Sequence, residues 1–195
     1  MNIKKAIVNF LCDYRKICKY ISKVEADFYF NKNIYLSVIC AEDKYFMKHH
    51  GISIKSIIRA LIKRHGGAST ITMQTVRVIS GRYEVSFNRK LREIALAFLI
   101  ELDNDKISIL NSYLKYSYFG TGLVGIESVF DKYFPRNNTM SLMDSIFIAS
   151  LLKRPAPRDV SIAWAYKLNS RMIHIKKIIE TEGSVVHKQI EQYIQ

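Results

Sequence analysis

The feature that most constrains this chain is a helical period that keeps returning. Apolar residues recur every three to four positions in Ser53–Lys63, Phe87–Leu102, Lys106–Tyr116, Ser141–Leu152, Ile162–Glu180 and Val185–Ile194. That spacing lines one face of an α-helix. Gly51, Gly66-Gly67, Gly81, Gly120-Thr121-Gly122, Pro135 and Pro155-Ala156-Pro157 punctuate these segments, as residues that stop helices and open turns do. No strand–helix–strand alternation emerges, so the expected class is mainly α. A chain of 195 residues can bury a sizeable core as one domain, with or without a short appendage. The polar stretch Asn31-Lys32-Asn33 is the candidate boundary. It separates a basic N-terminal segment, 1–33, from a main domain with a helical C-terminal tail, 34–195.

The formal net charge of +13 calls for an anionic partner. Charge alone leaves nucleic acid, an anionic bilayer surface and a phosphate-bearing substrate open. Cys12, Cys18 and Cys40 fit no metal-ligand spacing and read as reduced, inert thiols, with a Cys12–Cys18 bridge as the alternative. No apolar run reaches the ~18 residues of a spanning helix. The run Ala6–Cys12 follows Lys4-Lys5 in the charge order of a signal peptide, without a small-residue cleavage site. Residues 3–22 read better as a basic amphipathic helix with Ile7, Phe10, Leu11, Tyr14, Ile17, Cys18 and Ile21 on one side. Such a helix either packs on the domain or lies on an anionic membrane through Lys4, Lys5, Arg15, Lys16 and Lys19.

Two acids stand where chemistry can use them. Glu42 ends the apolar run Ile34–Ala41 and is followed by Asp43 and the stop His49-His50-Gly51. An acid at the edge of a core has a tunable environment, as a general base requires, though many ordinary helix ends share it. Glu93 opens a segment, Ile94–Ile100, that is apolar all round and is therefore expected to be buried. A carboxylate there must be paired, and Arg89 lies one turn earlier; a helix-start acid favoured by the macrodipole is the plainer reading. The stretch Thr70–Ile79 alternates polar and apolar residues and is rich in β-branched ones, so local propensity predicts a strand. As a helix it would put Thr70, Gln74 and Arg77 on one stripe. Gly66-Gly67 before Ser69-Thr70 reads as a flexible turn or an anion-facing helix start.

These segments, in their order, resemble one family. The residues are Glu42-Asp43-x-x-Phe46-x-x-His49-x-Gly51, Arg59-Ala60, Gly67-Ala68-Ser69-Thr70-Ile71-Thr72-x-Gln74, Arg89-Lys90-x-x-Glu93, Ile109-Leu110-x-x-Tyr113-Leu114, Phe119-Gly120 and Gly125-Ile126. They are similar to the peptidoglycan glycosyltransferases, found as transglycosylase domains of class A penicillin-binding proteins and as monofunctional enzymes. The resemblance runs from about Ile34 to Pro157; the absence of a following transpeptidase region, the Gln74-Thr75 pair and the helical tail are more like the monofunctional type.

The resemblance implies a lysozyme-like, mainly α fold and inverting polymerisation of lipid II, a polyprenyl-diphosphate-linked saccharide. It implies Glu42 as general base and Glu93 as the second important carboxylate, organising the diphosphate through basic neighbours or a divalent cation, Mg or Mn. Asp43, Phe46, His49, Ser69, Thr70, Gln74, Arg77, Arg89 and Lys90 are the implied substrate-binding residues, and the ambiguous segment is implied to be a helix. The implied location is the outer face of the bacterial cytoplasmic membrane, although this chain carries no clear anchor or export signal. Lipid II, an anionic membrane surface and other envelope-assembly proteins are the expected partners, and nucleic acid is not. The chain departs from the family pattern at Arg77 (usually Lys), Met73, Val85 (with Arg82 as a stand-in for a missing Arg), Lys115 and Asp159-Val160. A catalytically weak binding module or scaffold and a lysozyme-like peptidoglycan-cleaving enzyme are the alternatives.

Overall fold

A computed structural model describes residues 3–24, 31–52, 69–135 and 140–194. The expected helix Ser53–Lys63, Arg59-Ala60 and the Gly66-Gly67-Ala68 turn lie outside the described residues. The chain divides into two compact units, Met1–Phe28 with Lys48–Tyr113, and Tyr29–Met47 with Leu114–Gln195.

In the first unit, α1 (Ile3–Ser22) packs on α3 (Ile71–Ser80) and α4 (Phe87–Asp103). Its C-terminal half supplies buried Ile17 and Ile21, with Val24 just beyond. Asp13, its one acid, accepts hydrogen bonds from Arg82 Nε (2.8 Å) and Arg92 Nη2 (2.7 Å). Ile7, Val8 and Leu11 stay exposed. Packing and an outward apolar face therefore coexist in one helix.

The stretch predicted by local propensity to be a strand is α3. Thr70 accepts a hydrogen bond from the Met73 amide (3.2 Å) at its start, and Gly81 closes it in the left-handed conformation. Ile71, Thr72, Thr75 and Val76 are all buried. Burial of the β-branched side chains, together with caps at both ends, overrides their intrinsic preference.

The expectation that the segment after Glu93 is buried all round is corrected. α4 buries Glu93, Leu96, Ala97 and Ile100, while Phe87, Leu91, Phe98 and Leu102 remain exposed. The exposed residues share a stripe of their own at helical spacing. Apolar character marked this helix without saying which stripe is covered.

Below it, α5 (Lys106–Tyr116) begins with a buried ion pair, Lys106 Nζ to Glu101 Oε2 at 2.5 Å. Lys106 also donates to the His49 carbonyl (2.5 Å), and Thr72 hydrogen-bonds to Glu101. Gly51 has φ +75°, and a Cβ there would stand 2.4 Å from the Ala97 carbonyl oxygen. Only glycine fits such a backbone and such an approach. The His-His-Gly stop is thus seated on α4.

In the second unit, α2 (Lys32–Glu42) is capped by Asn31 and buries Ile34 to Cys40 without a break. It packs on α7 (Leu142–Lys153) and α8 (Ile162–Ile194). A capping box between Ser141 and Asp144 starts α7. A hairpin, β1 (Tyr118–Gly120) and β2 (Leu123–Val124), precedes α6 (Ile126–Tyr133). Its Gly120 stands so close to Ala156 that a Cβ would meet that backbone at 2.4 Å.

Sequence periodicity divided the C-terminus into Ile162–Glu180 and Val185–Ile194; the structure joins them in α8. Gly183 lies inside this helix, where a Cβ would stand 3.0 Å from Ile179 of the same helix and 3.8 Å from Leu36 of α2. Among the described residues no helix is long and apolar enough to cross a membrane. The cysteines are free, and burial pushes the Cys40 thiol up to about 12.

Candidate active site

The first unit gathers its site around Glu93, a buried side chain with only 3% of its surface exposed. Three cations converge on this carboxylate. Arg77 Nη2 of α3 lies 2.7 Å from Oε1, while Arg89 Nη1 and Lys90 Nζ of α4 lie 2.9 and 3.4 Å from Oε2. Ser69, just before the α3 cap, accepts from Lys90 Nζ (3.0 Å) and Arg77 Nη2 (3.3 Å). The α3 caps fix the register that points Arg77 this way; the Ser86 cap of α4 does the same for Arg89, Lys90 and Glu93, at i, i+1 and i+4.

Three positive charges face one negative charge, so the cluster retains a surplus of two. The Nε atoms of Arg77 and Arg89 are buried and find no hydrogen-bond partner among the described residues. A buried donor without a partner is costly, and here such donors accompany surplus positive charge. An incoming anion relieves both. Burial pushes the Lys90 ammonium below the ordinary lysine value; Glu93 opposes that shift and the Arg77 and Arg89 charges reinforce it. Adjacent to the cluster, Asn9, Arg82, Glu84, Ser86, Arg89 and Arg92 help to border a groove of about 390 Å³.

Both oxygens of Glu93 face cations, and among the described residues no three His, Cys, Asp or Glu side chains gather. The donor set suits an anion.

Other expected site residues have structural partners. Thr70 is buried; its hydroxyl donates to the Gly51 carbonyl (2.6 Å) while capping α3. This ties the Ser-Thr segment to the end of the His-His-Gly stop. Gln74 Oε1 accepts from the Tyr113 hydroxyl (2.7 Å), and the His49 carbonyl is held by Lys106. Arg82, the stand-in for a missing arginine, is committed to Asp13, which raises its pKa further. Met73 is core, and Val85 is fully exposed.

The second unit holds Glu42, Asp43 and Phe46. Glu42 is the last residue of α2, its side chain 12% exposed, and its Oε1 lies 3.2 Å from Arg171 Nη2 of α8. The same nitrogen donates to the Ala41 carbonyl at 2.6 Å. Asp43 caps α2 through its amide, bonded to the Ile39 carbonyl, and its own carbonyl accepts from the Phe46 amide. Phe46 is completely buried, so its ring is core. Lys44 Nζ pairs with Glu182 Oε1 at 2.6 Å, fastening the turn after α2 to α8.

Arg171 and Asp13 were missed by sequence reasoning. Nothing near Arg171 in the chain marks its partner, whereas a lone acid in the basic helix α1 was a usable signal for Asp13.

The family model described as Transglycosylase matches residues 23–179. Penicillin-binding protein 1A of Rickettsia bellii is 31% identical over 178 residues, 75% of this chain and 22% of that protein. A monofunctional glycosyltransferase of Staphylococcus haemolyticus is 37% identical over 136 residues, 63% of this chain and 50% of that protein. Penicillin-binding protein 1F of Bacillus subtilis is 33% identical over 132 residues, 64% of this chain and 18% of that protein. The chain therefore belongs to the transglycosylase family, the peptidoglycan glycosyltransferases that its motifs resemble, and has that family's lysozyme-like, mainly α class of fold. It spans about a fifth of the length of the penicillin-binding proteins it matches and half that of the monofunctional relative.

Proposed function

We propose that the chain is an inverting glycosyltransferase that polymerises a polyprenyl-diphosphate-linked saccharide, lipid II, into glycan strands. The observation that carries this reading is the surplus of positive charge around buried Glu93, beside the buried Nε donors of Arg77 and Arg89, which have no hydrogen-bond partner among the described residues. In the reaction, Glu42 removes the proton from the 4-hydroxyl of the acceptor sugar. The hydroxyl oxygen bonds to the anomeric carbon of the donor, the bond from that carbon to the diphosphate breaks, and the electron pair leaves with the diphosphate. A positioned base contributes ~10²–10⁴-fold to such a step. The departing diphosphate gains negative charge, which Arg77, Arg89 and Lys90 are suited to stabilise. In this reading Glu93 is the counter-charge that holds the three cations in place between turnovers.

A lipid-borne substrate requires contact with a bilayer. The exposed Ile7, Val8 and Leu11 of α1, with Lys4 and Lys5 one turn earlier, suit the anionic outer face of the bacterial cytoplasmic membrane.

The commitment of Arg82 to Asp13 favours a second reading, a catalytically weak module that binds lipid-linked glycan as a scaffold for other envelope proteins. Incubation of the purified chain with labelled lipid II, with and without chelator, separates the two. The proposal expects glycan polymer in both conditions. Tight lipid II binding without polymer supports the scaffold, and cleavage of preformed sacculi identifies a peptidoglycan-cleaving enzyme. Either outcome overturns the proposal.

A further inference from the structure

We infer that Arg171 is the positioning residue for Glu42, fixing the carboxylate in the orientation from which it accepts a proton. The inference rests on the reading of Glu42 as general base and adds a residue from outside every motif of the chain. One guanidinium nitrogen bridges two groups of the last turn of α2, the Ala41 carbonyl at 2.6 Å and Glu42 Oε1 at 3.2 Å. The carbonyls of a final helical turn lack partners within the helix. By satisfying one of them, Arg171 holds the backbone from which Glu42 projects, and with the same atom it holds the Glu42 side chain. A simple ion pair needs only the second contact, and a helix cap only the first. Together they fix both the origin and the end of the Glu42 side chain.

The anchor is itself rigid. Arg171 lies on α8 between Leu168 and Ile175, three residues before and four after it, both buried on the same face. Farther along, Glu182 of α8 grips Lys44 in the turn after α2. The acid is thereby tied to one helix through residues on either side of its own turn. With Arg171 and Glu42 side chains only 17% and 12% exposed, water competes weakly for the contact. The Nε of Arg171 is buried and finds no hydrogen-bond partner among the described residues. Lysine keeps the charge but carries its donors on a flexible stem and would hold the pair of acceptors less firmly.

The test measures initial rates of lipid II polymerisation against lipid II concentration for the full chain and for Arg171→Met, Arg171→Ala, Arg171→Lys and Glu42→Gln. Misplacing a catalytic group by ~1 Å costs ~10²-fold. Arg171→Met should therefore lower kcat by about 10- to 100-fold and leave KM within about twofold. Arg171→Lys should recover part of the loss, and added guanidinium ion should speed Arg171→Ala but not the wild type. Unchanged kcat overturns the inference. So does a rise in KM alone, which would make Arg171 a substrate contact, and so does a loss in a folded variant that neither lysine nor guanidinium relieves. If the Met and Ala variants fail to fold, a folded Arg171→Lys at wild-type kcat overturns the inference and one reduced several-fold supports it. Full activity in Glu42→Gln would instead sink the general-base reading. An inactive Glu42→Gln beside a fully active Arg171→Met would sink only the role of Arg171.

Discussion

Replacing Glu93 with glutamine tests whether the cationic cluster is built to hold an anion. Glutamine keeps the shape and deletes the charge, leaving Arg77, Arg89 and Lys90 facing one another without a counter-charge. Removing one member of a buried ion pair costs about 3–5 kcal/mol. Arg77 and Lys90 are each 28% exposed and Arg89 14%, so solvent screens part of their repulsion and about 2–3 kcal/mol is the fitting range. At ~2–4 °C per kcal/mol for a chain of this size, the melting temperature should fall by about 4–12 °C. Pyrophosphate should then act as a substitute anion. At a concentration of 100 Kd a ligand stabilises by about 2.7 kcal/mol, and the gain should be larger in the variant, where the anion also relieves repulsion. The assay is thermal denaturation of both proteins with and without pyrophosphate. A variant that melts within 1 °C of the wild type, or gains no more from pyrophosphate than the wild type does, would refute the reasoning.

Lys90 is held below the ordinary lysine value, so the clamp loses a charge as pH rises through that lowered value; pyrophosphate affinity should fall there, and Lys90→Arg should keep it, as binding measured across alkaline pH will report. For Asp13, burial pushes the carboxyl up, but hydrogen bonds and charge from Arg82 and Arg92 outweigh it and hold it below the usual range. The stability it contributes is present above the unfolded carboxyl value and is lost as pH falls through the folded one. Asp13→Asn should cost about 1.5–3 kcal/mol at neutral pH and flatten that acid loss in urea titrations. Gly51→Ala should destabilise by at least about 1–3 kcal/mol from backbone strain, with the contact to Ala97 in addition, and a urea midpoint equal to wild type would contradict the seating of the His-His-Gly stop on α4.

The mainly α class was legible because helical spacing is a local property and recurs throughout the chain. So was the grouping of Arg89, Lys90 and Glu93, which share one turn. The identity of α3 was not legible locally: its β-branched residues prefer a strand, and their burial reversed that preference. The exposed stripe of Phe87, Leu91, Phe98 and Leu102 was missed for the complementary reason, since an all-apolar helix does not say which side its neighbours cover. The break expected between Glu180 and Val185 is absent because the helix runs on through residues 181–184 as α8. Arg171 could not be read at all. It meets Glu42 across 129 residues, and only the packing of α8 on α2 brings them together.

The central claim is that Glu42 removes the acceptor proton in glycan polymerisation. Single-turnover polymerisation of labelled lipid II by the wild type and by Glu42→Gln tests it directly, with lipid II binding measured alongside. The account predicts wild-type polymer, binding retained in the variant, and a polymerisation rate for the variant lower by at least about 10²-fold. Polymer formed by Glu42→Gln at the wild-type rate would contradict it.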